Sequence, residues 1–133
     1  MEFEGKYRVK SVLLADENGT RTLSRQDLEG MEKTEETADF VNMLKMLVEI
    51  SESALTVKMI LTPEDVELVR QNEPDMPIDD NGVAILEQHE VRSEDGEWQY
   101  ECGEEDGETN YMSLRRDENG DVVYGGMITL EKI

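Results

Sequence analysis

The chain is 133 residues long, the size of one domain, and 37% of it is hydrophobic against 35% charged, so it has material for one modest core. Its 33 acids outnumber its 13 bases, for a net charge of -20. A field of that sign repels phosphate backbones and anionic headgroups, which argues against nucleic acid as a partner.

In chain order, Lys6 to Ala15 alternates as a strand, with Tyr7, Val9, Ser11, Leu13 and Ala15 on one face and Val12 and Leu14 on the other. Asp16-Glu17-Asn18-Gly19 ends it in a turn, and the same four letters return at Asp117-Glu118-Asn119-Gly120. Ser24 is placed to cap a short helical turn through Asp27, with Gly30 as its stop. Thr34 precedes a predicted helix over 35–47. Phe40, Val41, Leu44 and Leu47 make its apolar stripe, widened by Met43, and the helix is expected to pack across an open end of a sheet. The helical insert as a whole spans about 24–47.

Val48 to Ile50 reads as extended, and 55–61 is a β-branched strand with Leu55, Val57, Met59 and Leu61 inward. Thr62-Pro63-Glu64-Asp65 is a helix start, so 63–71 is read as a helix with Val66 and Val69 inward, strand being the alternative. The longest loop follows, over 73–82.

From Val83 onward the pattern is a run of short strands, at 83–86, 97–102, 109–115 and 122–130. Ser93-Glu94-Asp95-Gly96, Glu104-Glu105-Asp106-Gly107 and Asp117-Glu118-Asn119-Gly120 separate them. Each separator ends in a glycine behind acidic or amide residues, the composition that supports positive φ in a hairpin. A meander of this kind buries its apolar face only if the rest of the chain closes over it. The count is about seven strands.

Three fragments resemble the calycins, and among them the intracellular fatty-acid-binding proteins. Phe3-Glu4-Gly5-Lys6-Tyr7-Arg8-Val9-Lys10-Ser11 is similar to that family's opening Phe-x-Gly-x-Trp-Lys-Leu-x-Ser. Leu55-Thr56-Val57-Lys58 is similar to its Leu-Thr-Ile-Lys strand, and Gly120-Asp121-Val122-Val123 to the start of its last strand. The resemblance covers about a quarter of the chain. It implies a small antiparallel barrel with a helical insert after the first strand, closing over an interior cavity. The family's last strand anchors a carboxylate through Arg-x-Tyr; here the region reads Tyr124-Gly125-Gly126-Met127-Ile128-Thr129, without an arginine, so the fatty-acid site is not carried over. The fold class expected is thus mainly β (β-rich α+β), a single calycin-like barrel or half-barrel with one or two helices between its early strands.

Few residues carry chemistry. Trp98, Tyr100 and Cys102 share a face of the cleanest strand, and with Met112, Leu114 and Tyr124 they would form an aromatic and thioether wall if that face lines a barrel. His89, the sole histidine, alternates with Val83, Ile85 and Val91 and would offer a polar contact there. The expected ligand-binding residues are therefore Trp98, Tyr100, Met112, Tyr124 and His89, around a small apolar or amphipathic, lipid-like ligand; ordinary packed core is the plainer reading of the same wall. Gly125-Gly126 marks a bulge or a close approach of backbone or ligand. One histidine and one cysteine make no zinc set, and no nucleophile, base and orienting group assemble into a catalytic site, so no cofactor and no enzymatic activity are expected. The loops at Asp16 and Asp117 open like calcium loops but lack the glycine at position six (Arg21 stands there) and the acid at position twelve (Ile128) respectively.

The charge is uneven. Residues 63–133 hold 21 acids and 5 bases, against 12 and 8 in residues 1–62. An acidic interaction module with a side-chain-filled barrel, recruiting a basic protein partner, is accordingly the alternative function. Cys102, being alone, excludes an intramolecular disulfide. No apolar run approaches the roughly 18 residues of a membrane span, and the N-terminus shows neither the basic nor the apolar region of a signal peptide, so a cytoplasmic location is expected.

Overall fold

The computed structural model describes residues 1–32, 34–125 and 127–133. Ten strands and three short helices are present among them: β1 (Gly5–Asp16), β2 (Gly19–Ser24), α1 (Arg25–Glu29), α2 (Ala38–Asn42), β3 (Met46–Ile50), β4 (Ala54–Ile60), α3 (Pro63–Asn72), β5 (Val83–Glu94), β6 (Glu97–Glu105), β7 (Glu108–Ser113), β8 (Arg115–Arg116), β9 (Val122–Tyr124) and β10 (Ile128–Lys132), with a 3-10 turn at Met43–Lys45. The protein is mainly β. The strands pair antiparallel in the order β7-β6-β5-β4-β3-β1-β10-β9-β8, and β2 adds to the far half of β1. Only Leu114 separates β7 from β8, so one run of chain pairs with β6 on one side and β9 on the other. The Leu114 N–H donates to the Trp98 carbonyl at 2.8 Å and carries the ladder across that junction. The sheet thereby becomes a nearly closed antiparallel barrel, which leaves few unpaired edges.

Two of the predicted turns have the geometry their letters suggest. Asp95 and Gly96 join β5 to β6 with φ of 53° and 80°, and Asp106 and Gly107 join β6 to β7 with φ of 52° and 80°. Two successive residues of positive φ match the right-handed twist of the strands they join.

The barrel interior is the core. Tyr7, Val9 and Val12 of β1, Val48 and Ile50 of β3, Leu55 and Val57 of β4, Val91 of β5, Tyr100 of β6, Leu114, Val122 of β9 and Leu130 of β10 are all buried in one cluster. Leu28 on α1 joins them at 0% exposure and closes one end. Five residues do not hold a helix by themselves. Here the Ser24 and Asp27 side chains and backbones cap one another reciprocally, and Gly30 stops the turn, as the sequence suggests. The Arg25 guanidinium ties the insert down by donating to the carbonyls of Val9 at 2.8 Å and Leu44 at 3.2 Å.

Four expectations are corrected. The alternation in β1 does not run unbroken: a bulge against β10 between Val9 and Ser11 consumes one residue, so Val12 turns inward and Leu13 outward. The helix expected over 35–47 is α2 followed by the 3-10 turn, because Met46 and Leu47 pair on both edges, Leu47 with Arg8 and Met46 with Met59. Ladder hydrogen bonds on two sides outweigh another helical turn. Phe40, Met43 and Leu44 still pack onto the core. The strand count is ten rather than about seven: β2 is added, and the stretches read as single strands at 109–115 and 122–130 divide into β7 and β8 and into β9 and β10.

The fourth correction concerns β5, which runs through His89 as one strand of 12 residues. Its register against β4 shifts between Val57 and Lys58, which face Glu87 and Ile85 and leave Leu86 as the extra residue. Ala84 therefore points inward below the bulge, and His89 and Val91 above it, while Ile85 is exposed. His89 does not share a face with Val83 and Ile85.

The segment 63–72 is a helix, α3, started by a reciprocal Thr62–Asp65 cap with Pro63 in the first turn. Val66 and Val69 are half-buried rather than core. No helix among the described residues is long and apolar enough to cross a membrane.

Candidate functional site

The β5–β6 ladder runs from Glu94/Glu97 only as far as Val91/Tyr100. Beyond that point β5 stays paired with β4 down to Val83, and β6 with β7 out to Glu105. The two strands fork, and a cavity of about 310 Å³ lies in the fork, lined by Glu87, His89, Tyr100, Glu101, Cys102, Met112, Tyr124 and Gly125. A second bulge widens it: Glu101 faces Tyr111 and Gly103 faces Asn110, leaving Cys102 without a partner across the ladder.

Four of the five expected residues, His89, Tyr100, Met112 and Tyr124, meet there. Trp98 does not. It sits opposite Ser93, where the β5–β6 ladder is intact, and it packs against the core instead. Leu114 is buried core.

Tyr100 organises the floor. Its ring is buried and stacks on Tyr124 with centroids 5.6 Å apart and planes 27° from parallel. Its hydroxyl accepts the Gly125 N–H at 3.0 Å and donates to Met112 Sδ at 3.5 Å. Gly125 takes φ of 63°, a left-handed conformation that glycine adopts without strain, and this turns its amide toward the phenol. The close backbone approach expected at Gly125-Gly126 is thus found at Gly125; Gly126 lies outside the described residues. Burial raises the Tyr100 pKa above the usual tyrosine value. Tyr124 is pushed up to about 12, first by burial and then by the negative charge of Glu87.

His89 stands between two carboxylates. Its Nε2 is 2.9 Å from Glu87 Oε2, and Nδ1 is 3.8 Å from Glu101 Oε1. An ionised carboxylate only accepts, so the Nε2 proton belongs to the bond with Glu87. Nδ1 is buried yet has no hydrogen-bond partner. Glu87, Glu101 and Cys102 complete the lining. Glu87 is two residues from His89 and shares its face, a relation legible in the alternation once the bulge at Leu86 is known. The turn of Glu101 toward His89 follows from the second bulge, which has no clear mark in the sequence.

Two other hollows are built differently. One of about 340 Å³ is lined by Glu4, Lys6, Glu49 and Thr56 on β1, β3 and β4 and their approaches, and one of about 440 Å³ lies beside α3 at Pro63, Arg70, Asp79 and Asp80. Neither has an aromatic or thioether wall. Among the described residues no group of three or more His, Cys, Asp or Glu is arranged to hold a metal ion.

Comparison with protein-family models, with curated proteins and with solved structures gives no match to this chain.

Proposed function

We propose that the protein binds a small amphipathic molecule, without transforming it, in the fork between β5 and β6. One observation carries the reading. A partly open cavity is lined by two stacked tyrosines, a thioether and His89, whose Nδ1 is buried and unpartnered. Leaving such a nitrogen dry costs free energy that a ligand's hydrogen bond would recover. The aromatic floor would supply apolar contact, and His89 would fix the orientation. At about 310 Å³ the cavity is at the small end of the roughly 300–1,000 Å³ usual for ligand pockets, so the occupant is compact. Val9, Val48, Leu55 and Leu130 fill the barrel beneath it at 0% exposure, which argues against a long acyl chain running down the axis. A calycin-like carrier and a cytoplasmic setting remain part of this proposal.

Native mass spectrometry of the purified protein against its denatured mass tests it, together with thermal shifts across a panel of compact amphipathic compounds. Retained mass, or stabilisation abolished by a cavity-filling Met112→Trp substitution that keeps the far-ultraviolet spectrum, supports the proposal. A clean apo mass with no stabilisation by any compound overturns it and leaves the filled barrel with an acidic docking surface for a basic protein.

A further inference from the structure

Among the described residues the polar lining of the fork is mostly made of acceptors. Glu87 and Glu101 are carboxylates. His89 spends its Nε2 proton on Glu87, and in the neutral ring Nδ1 is a bare lone pair. The Tyr100 hydroxyl proton is directed at Met112 Sδ, and the Gly125 N–H is taken by Tyr100. The Tyr124 hydroxyl and the weakly donating Cys102 thiol are what the lining has left to offer a ligand acceptor. Among the described residues no lysine or arginine lines the cavity; Arg115 acts on Tyr100 through its field. With His89 neutral the lining carries two negative charges, and with His89 protonated it still carries one. Beside these acceptors lies the half-buried Tyr124 ring, stacked on the buried Tyr100, and an aromatic face attracts a cation through the ring quadrupole.

We infer that the ligand class of this site is a compact organic cation, a primary amine on an aromatic or short apolar body, whose ammonium donates to both His89 Nδ1 and the Glu101 carboxylate while its body lies against Tyr124. An ammonium brings three donors and no acceptor, the complement of this lining. Nδ1 and Glu101 Oε1 are 3.8 Å apart, too far to bond each other directly but near enough for one nitrogen beside them to donate to both. A carboxylate or phosphate ligand would meet like charge and no donor fork. The inference rests on the binding proposed above and narrows its chemistry.

The test uses three probes of one size, benzylamine, benzyl alcohol and benzoate, near pH 7. Binding is followed by calorimetry and by protection of Cys102 against iodoacetamide. Cys102 is the sole cysteine and lines the cavity, so its alkylation reports occupancy at this place rather than cation uptake by the acidic surface. Benzylamine is expected to bind at least about tenfold tighter than benzyl alcohol, in line with a charge-assisted hydrogen bond, and to slow alkylation, with benzoate inert. Glu101→Gln is expected to remove that tenfold preference, while Glu104→Gln with Glu105→Gln, exposed further along β6, leaves it in place. Equal protection by the alcohol and the amine, or tighter binding of benzoate, overturns the cation class and keeps the pocket. No protection by any probe at millimolar concentration overturns both.

Discussion

Replacing Tyr100 by Phe and by Ala separates its two contributions. The ring is buried and stacked on Tyr124, and its hydroxyl bonds Gly125 N–H at 3.0 Å and Met112 Sδ at 3.5 Å. Tyr100→Phe keeps the ring and removes the hydroxyl. Gly125 is exposed, so water replaces the lost partner of its N–H. The cost is then that of an ordinary hydrogen bond, about 1 kcal/mol, and the melting temperature falls by about 3–4 °C for a domain of this size. Tyr100→Ala also empties the ring's volume from the core at about 3–5 kcal/mol, a large part of the roughly 5–15 kcal/mol that holds a domain folded. Urea denaturation of both variants gives the two costs, and amide hydrogen exchange at Gly125 should quicken in Tyr100→Phe alone of the nearby turns. A Phe variant as damaged as the Ala variant would refute the claim that ring burial dominates. A Phe variant with unchanged Gly125 exchange would refute the hydroxyl's part in holding the Gly125 amide.

Further outcomes follow from other positions. Leu28→Ala should cost about 3 kcal/mol in urea denaturation, because the plug on α1 is fully buried, whereas Leu68→Ala on the exposed side of α3 should stay within about 0.5 kcal/mol. The Asp65 carboxyl is held below the usual aspartate range by the Thr62 side chain and then by Lys45. Its contribution is therefore complete above the unfolded aspartate value of about 4 and disappears as pH falls through the lower folded value. The urea midpoint of Asp65→Asn relative to wild type should accordingly converge as pH drops below about 4, and parallel curves would count against this linkage. Tyr124 titrates at about 12 when folded, so its contribution is complete below the unfolded value near 10 and is lost as pH rises toward 12. Tyr124→Phe should remove the last phenolate step from an ultraviolet titration.

Much of the barrel was legible because its signals are local. Ser24 with Asp27, Thr62 with Pro63 and Asp65, and the Asp-Gly pairs at 95–96 and 106–107 each satisfy their backbone within a few residues, so neighbouring letters suffice to specify them. Tyr100, Met112 and Tyr124 were legible as one wall because period-two alternation fixes the face of a strand wherever no bulge intervenes. What the letters do not carry is the count of residues between partners. The bulges in β1, at Leu86 of β5 and at Cys102 of β6 arise from how two distant strands share a ladder, and each slips the faces by one. That slip brings Val12 into the core, parts His89 from Val83 and Ile85, and brings Glu101 to the cavity beside Cys102, which the alternation already placed on the Tyr100 face. The short helix over 35–47 has the same cause, since Met46 and Leu47 choose between helical and ladder bonds according to strands some 40 positions before and 12 after them. The sequence by itself determined turns, caps and the apolar character of each strand, which depend on near neighbours. Only the tertiary structure decided where β5 leaves β6, and hence that the barrel has a fork with a histidine in it, because that point depends on where two ladders, not one, run out of partners.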